Sequence, residues 1–107
     1  MFGRQVKMKL KVDSALELTR LNKNEVVPIL RRQKGFLHEI TFISSDGSEA
    51  VSNSLWDTRE NAEAYGSTAY AEVISALSPL LVARPIVANF QFAGATFARA
   101  AAAGSAR

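Results

Sequence analysis

Cysteine is absent from this chain, which excludes disulfides, thiolate nucleophiles, cysteine-ligated zinc and iron–sulfur clusters. Histidine occurs once, as His38, and no metal-binding cluster, Ser-His-Asp arrangement or glycine-rich phosphate loop can be assembled from the residues present; hydrolase and nucleotide-binding readings fall away. No stretch reaches the roughly 18 unbroken apolar residues that a membrane span requires, and lysines interrupt the apolar pattern of residues 1–10. A soluble, cytoplasmic protein without a membrane partner is expected. The net charge of +3 comes partly from Arg31, Arg32 and Lys34 at a predicted helix end and from Arg99 and Arg107 near the C-terminus. Without a dense basic face interleaved with aromatics, no nucleic-acid partner is expected.

What remains is the composition of an ordinary folded domain, with 48% hydrophobic and 21% charged residues in 107, enough for one core and not two. Val6, Met8, Leu10 and Val12 alternate with Lys7, Lys9 and Lys11, the period-two pattern of a strand with one buried face. Asp13 or Ser14 can then cap a first helix whose apolar positions are Leu16, Leu18, Leu21, Val26, Ile29 and Leu30. Pro28 removes a backbone donor and predicts a kink or two short helices. Gly35 suits the left-handed residue after the helix.

Residues 35–44 turn β-rich, with Phe36, His38, Ile40 and Phe42 expected on one face and Leu37, Glu39, Thr41 and Ile43 on the other. Asp46-Gly47 is a strong hairpin signal, and "AVSNSLW" follows as the third strand. Asp57, with Glu60 three residues later, reads as a capping box opening a second helix. Its buried stripe is Ala62, Tyr65, Ala69, Val73, Leu77 and Leu80, weakened at Gly66. "IVANFQF" reads as a fourth strand.

The order βαββαβ predicts an α+β, ferredoxin-like fold, an antiparallel four-stranded sheet with both helices on one face. The other face would expose apolar side chains such as Leu37, Ile43, Val51 and Leu55, or their opposite-parity partners, so a homodimer is expected to cover it. Residues 1–94 form this domain. The alanine-rich residues 95–107 are either a helical arm or a loose tail, and helix propensity favours an arm over Thr96 to Ala103.

The segment "GFLHEITFISSDGSEAVSNSLWDTRENAEAY" resembles the antibiotic biosynthesis monooxygenase-like domains of the dimeric α/β-barrel superfamily. The shared features are the helix-ending Gly35, the hairpin, the strand ending Leu55-Trp56-Asp57, and the helix carrying Glu60, Ala62 and Tyr65, a resemblance covering about residues 5 to 93. It implies a homodimer whose sheets face each other as a barrel, with a ligand pocket in each subunit between helices and sheet. Function within that superfamily is scattered, from cofactor-independent oxygenation of polycyclic aromatic quinols to haem degradation, so fold does not fix it. The haem-degrading branch uses an asparagine on the first strand and a histidine in the second helix. Here "QVKMKLKV" has no asparagine and the second helix no histidine.

Trp56 matches the strand-end tryptophan of the resemblance, which lines the pocket in some members; aromatic burial alone accounts for it as a core plug at the helix–sheet seam, and the two roles can coexist. His38 is the natural general base for deprotonating a phenol, and a structurally satisfied histidine otherwise. His38 and Trp56 are therefore the catalytic candidates, with Asn53, Tyr65, Tyr70, Asn89 and Phe42 as candidate substrate contacts. The resemblance implies a monooxygenase-like enzyme acting on a small aromatic, quinol-type compound without metal, flavin or other cofactor. The alternative is a non-catalytic homodimer that binds a small hydrophobic ligand, or a stress or signalling accessory protein.

Overall fold

In the computed structural model, which describes residues 1–96, the elements run β1 (Phe2–Lys9), α1 (Ala15–Leu21), a π-helical stretch (Asn22–Val26), α2 (Val27–Arg31), β2 (Phe36–Ile43), β3 (Glu49–Trp56), α3 (Arg59–Gly66), α4 (Tyr70–Leu77) and β4 (Ile86–Gln91). The four strands form one antiparallel sheet in the order β2-β3-β1-β4. This is the ferredoxin-like arrangement, with the helices covering one face. The predicted arm over Thr96 to Ala103 lies, but for Thr96, outside the described residues.

Proline chemistry shapes the first helical layer. Pro28 has no N–H to return to the preceding turn, and the chain widens there: the Val27 N–H reaches the Asn22 carbonyl, five residues back. The expected break at Pro28 thus takes the form of a π turn between two short helices. Leu18, Leu21, Val26, Ile29 and Leu30 are buried from this layer, whereas Leu16 points to solvent, as does Val12 beyond β1. The core closes with Phe2, Met8, Ala50, Trp56, Ala62, Tyr65, Val73 and Leu77.

Two local expectations are corrected. The cap of α3 is Thr58, whose Oγ1 accepts from the Asn61 N–H at 3.1 Å, and not Asp57. Asp57 directly follows β3: its N–H donates to the Gly35 carbonyl at 2.9 Å, and its carboxylate accepts from Asn61 Nδ2 at 2.8 Å. That last bond holds the Asp57 carboxyl below its usual range. Gly35, at φ +84°, is wedged under this pair, and a Cβ there would run into Asp57 Oδ1 and the Asn61 side chain, so any other residue would strain the backbone and displace both side chains.

The second correction concerns β2. Phe36 pairs with Trp56, but His38 pairs with Leu55, so Leu37 is an extra residue, a β-bulge. A one-residue insertion reverses the facing of everything after it. Phe36 joins the core, and Glu39, Thr41 and Ile43 follow it onto the helix side by their register with Ser54, Ser52 and Ala50. His38, Ile40 and Phe42 face away. Phe36 and His38 do not share a face, and Ile43 is not one of the residues left uncovered.

Candidate functional site

Trp56, at the end of β3, is fully buried and its indole N–H donates to Ser54 Oγ at 2.9 Å. Its ring stacks on Tyr65 at 5.0 Å between centroids and takes the edge of Phe36 at 5.6 Å. Tyr65 in turn meets Tyr70 edge-on at 5.9 Å. These separations are those of favourable aromatic pairs. The row runs from the sheet's end across the seam between α3 and α4.

Beside it, between helices and sheet, lies a cavity of about 30 Å³. Val6, Met8, Leu18, Val26, Leu30, Val73 and Leu77 supply its apolar lining, and Arg4, Thr41, Ser52, Ser54, Tyr65 and Tyr70 bring polar groups to it. The Arg4 guanidinium sits 4.3 Å from the Tyr70 ring centroid and 5.6 Å from that of Tyr65, within cation–π range. Its Nε is buried without an acceptor, and Arg4 makes no ion pair among the described residues. Leaving a buried donor unmade costs about 1–3 kcal/mol.

Glu39 stands behind the wall. Its carboxylate accepts from Thr41 Oγ1 and, at 2.9 Å, from Ser52 Oγ, while Asn22 Nδ2 lies 3.5 Å away at the start of the π turn. Two hydroxyls that line the cavity are thereby connected to one carboxylate. Burial pushes the Tyr65 phenol well above its ordinary range, opposed by the positive charge of Arg4 and reinforced by Tyr70 and Glu39. Tyr70 is also raised by burial against the pull of Arg4.

The candidate residues divide between two places. Trp56, Tyr65 and Tyr70 come together at the helix–sheet seam. His38 and Asn53 lie on the opposite face of the sheet, in an open groove of about 810 Å³ lined also by Gln5, Ile40, Leu55 and Phe90. There Gln5 Nε2 donates to Asn53 Oδ1 at 3.1 Å. Phe42 shares that face and is 64% exposed. Asn89 pairs with Arg4 across the β1–β4 ladder and so faces the helix side, at the sheet's edge. His38 and Trp56 therefore do not share a pocket.

Arg4, Glu39, Thr41, Ser52 and Ser54 are not among the site candidates that the sequence suggests. Strand one carried a signal for the first: in the row Phe2, Arg4, Val6, Met8 a charged residue occupies a core-facing position, which is costly unless it is put to use. Ser52 and Ser54 interrupt the row from Ala50 to Trp56 in the same manner. Glu39 and Thr41 give no such signal until the bulge is known. Among the described residues, no three His, Asp or Glu side chains gather as a metal site requires, and no helix is long and apolar enough to cross a membrane.

The chain matches no family model and no curated protein. Solved structures do share its fold. A monooxygenase from the gene ActVA-Orf6 of Streptomyces coelicolor, in complex with nanaomycin D, superposes with a TM-score of 0.76 at 24% identity, covering 91% of either chain. An antibiotic biosynthesis monooxygenase superposes with a TM-score of 0.68 at 14% identity, over 88% of this chain and all of that one. Rv0793 from Mycobacterium tuberculosis gives 0.67 at 18% identity, over 90% and 98%. At these identities the likeness is one of fold, that of the antibiotic biosynthesis monooxygenase-like domains.

The raised Tyr65 phenol has a consequence for stability. The native state holds that proton more tightly than the unfolded chain, so its contribution is complete below about pH 10, the ordinary tyrosine value, and is lost as pH rises towards the folded one. Alkaline titration of the phenolate absorbance is expected to show one tyrosine ionising well after free tyrosine, and Tyr65→Phe to remove that late step. Both tyrosines ionising together near pH 10 contradicts the buried stack.

Proposed function

We propose that the chain is a homodimeric, monooxygenase-like protein that binds a small aromatic, quinol-type compound in the cavity between helices and sheet and oxygenates it without a metal or flavin. The observation that carries this reading is the aromatic row Trp56–Tyr65–Tyr70 beside a cavity where two hydroxyls lead to one carboxylate. Tyr65 and Tyr70 line it, and Trp56 stacks behind Tyr65 and holds that ring in place. The bound nanaomycin D of the Streptomyces structure supports an aromatic ligand in this fold.

The reaction of this reading balances with dioxygen as its only co-reactant. A phenol with a free para C–H gives up four electrons; one oxygen atom is kept as the new quinone carbonyl and the other leaves as water. The ring supplies the electrons once ionised, so the protein needs chiefly to take the phenol proton and exclude water. Thr41 and Ser52 pass that proton to Glu39.

A cavity of about 30 Å³ holds little more than one or two waters, whereas a dry cavity known to take up benzene measures about 150 Å³. Entry therefore requires the helical layer to lift. The π turn at Asn22–Val26 is its weak seam, since its hydrogen bonds span five residues and the long Asn22–Glu39 contact is its polar tie to the sheet.

His38, Asn53 and Phe42 take a different place in this proposal. The open sheet face exposes Phe42, Ile86 (65%) and Phe90 (52%), and a four-stranded face of eight-residue strands measures roughly 500 Å². Two such faces together reach about 1,000 Å², the lower bound of a stable interface. A second copy covers it, enclosing His38 and Asn53 in the barrel. Light scattering at micromolar concentration is expected to give about twice the 11.6 kDa chain mass, and a monomer overturns the dimer.

Oxygen consumption with 1-naphthol as probe tests the chemistry. The protein is expected to consume one dioxygen per quinone formed, and Glu39→Gln to lose at least about a hundredfold in turnover while still binding the naphthol. Binding without any oxygen uptake contradicts the enzyme and leaves the non-catalytic small-molecule binder.

A further inference from the structure

We infer that Arg4 is the anion-recognising residue of the helix–sheet cavity, and that it favours aromatic ligands bearing an anionic oxygen, either a carboxylate or the phenolate left once Glu39 has taken the phenol proton. The inference rests on the reading of that cavity as the ligand site and goes beyond it by naming the charge state of what is bound.

Four observations converge on Arg4. It occupies a core-facing position of β1 between Phe2 and Val6, where a neutral residue would serve the fold better. It has no carboxylate partner: Glu39, the acid nearest the cavity, is engaged by the hydroxyls of Thr41 and Ser52 and makes no ion pair with it. Its Nε is buried and lacks an acceptor. Its guanidinium is held over the faces of Tyr70 and Tyr65.

A guanidinium carries its N–H donors in the plane of the group. The two ring faces attract the guanidinium by its charge and accept no hydrogen bond from it among the described contacts, so they hold the group in place without consuming its hydrogen-bonding capacity. A planar oxyanion entering beside the tyrosines would take two of those donors at once, the geometry in which arginine binds carboxylates most strongly. A ligand ring stacked along the tyrosine row would present its oxygen to this fork.

Gly66 completes the arrangement. A Cβ built there would lie 2.9 Å from Arg4 Nη1, so the absence of a side chain at the end of α3 is what lets the guanidinium lie where it does. Alanine is the better helix former, but its Cβ here would push the Arg4 guanidinium aside.

The test compares 2-naphthoate with 2-naphthamide, matched in shape and differing in charge at pH 8, by calorimetric titration of the intact protein. Native protein is expected to bind the carboxylate at least about tenfold more tightly than the amide, the range of a charge-assisted hydrogen bond over a neutral one. Arg4→Met should erase that preference by weakening the carboxylate alone, and Arg4→Lys should retain part of it. Gly66→Ala, which keeps the charge and strengthens the helix, should weaken the carboxylate selectively by crowding the guanidinium, and it stands as the readout if Arg4→Met does not fold. Equal binding of the two ligands, or a preference that survives both Arg4→Met and Gly66→Ala, overturns the role of Arg4 while leaving the cavity reading intact. Binding of neither ligand overturns both.

Discussion

Strand β2 meets β3 in two registers joined by a single extra residue, Leu37, and the division of the molecule into two functional faces depends on that bulge. Before it, Phe36 packs its ring edge against Trp56. After it, the strand turns over, delivering Glu39 and Thr41 to the helix side and His38, Ile40 and Phe42 to the open side. Had the ladder continued without the insertion, a carboxylate would face the open groove and a histidine the cavity. The bulge therefore decides which acid–base group the helix–sheet cavity can recruit.

A second constraint comes from the seam between sheet and helices. Trp56 plugs the end of β3 and stacks on Tyr65, so α3 is fixed against the strand that carries Ser52 and Ser54. Gly35, Asp57 and Asn61 tie the strand end to the start of that helix. The neighbouring α1–α2 pair in the same layer is interrupted by the π stretch at Asn22–Val26, ahead of Pro28. Rigidity is thus concentrated on the aromatic side of the cavity and adaptability on the α1–α2 side. A site that must hold one wall fixed while admitting a ligand larger than the resting cavity has this distribution.

Much of the fold was legible in the residues because each element carried its own period and its own punctuation. The lysine alternation gave β1, Asp46-Gly47 gave the β2–β3 turn, and Gly66 marked the break between α3 and α4. What the periods do not encode is an insertion of one residue in a strand apolar on both faces, since Phe36-Leu37-His38-Glu39-Ile40 offers no clean alternation from which to see the slip. The site was legible only in part for the same reason. Trp56, Tyr65 and Tyr70 declared themselves by type and by position at a strand end and along a helix stripe. Arg4 showed itself only as a breach of the core pattern, and Glu39 became visible once the bulge had set its face. His38 drew notice because it is the one histidine, a property of composition that carries no information about where it points.

The central claim is that an aromatic ligand enters between helices and sheet and not the groove on the open sheet face. Nuclear magnetic resonance of the 15N-labelled protein titrated with 2-naphthoate tests it most directly, because the single indole N–H of Trp56 gives one isolated signal. The account predicts saturable shifts at the Trp56 indole and at the amides of Tyr65, Gly66 and Ser52, with His38, Gln5 and Asn53 unmoved. Shifts confined to His38, Gln5, Asn53 and Phe90, with the Trp56 indole unmoved, would contradict it and place the ligand on the face assigned to the second copy.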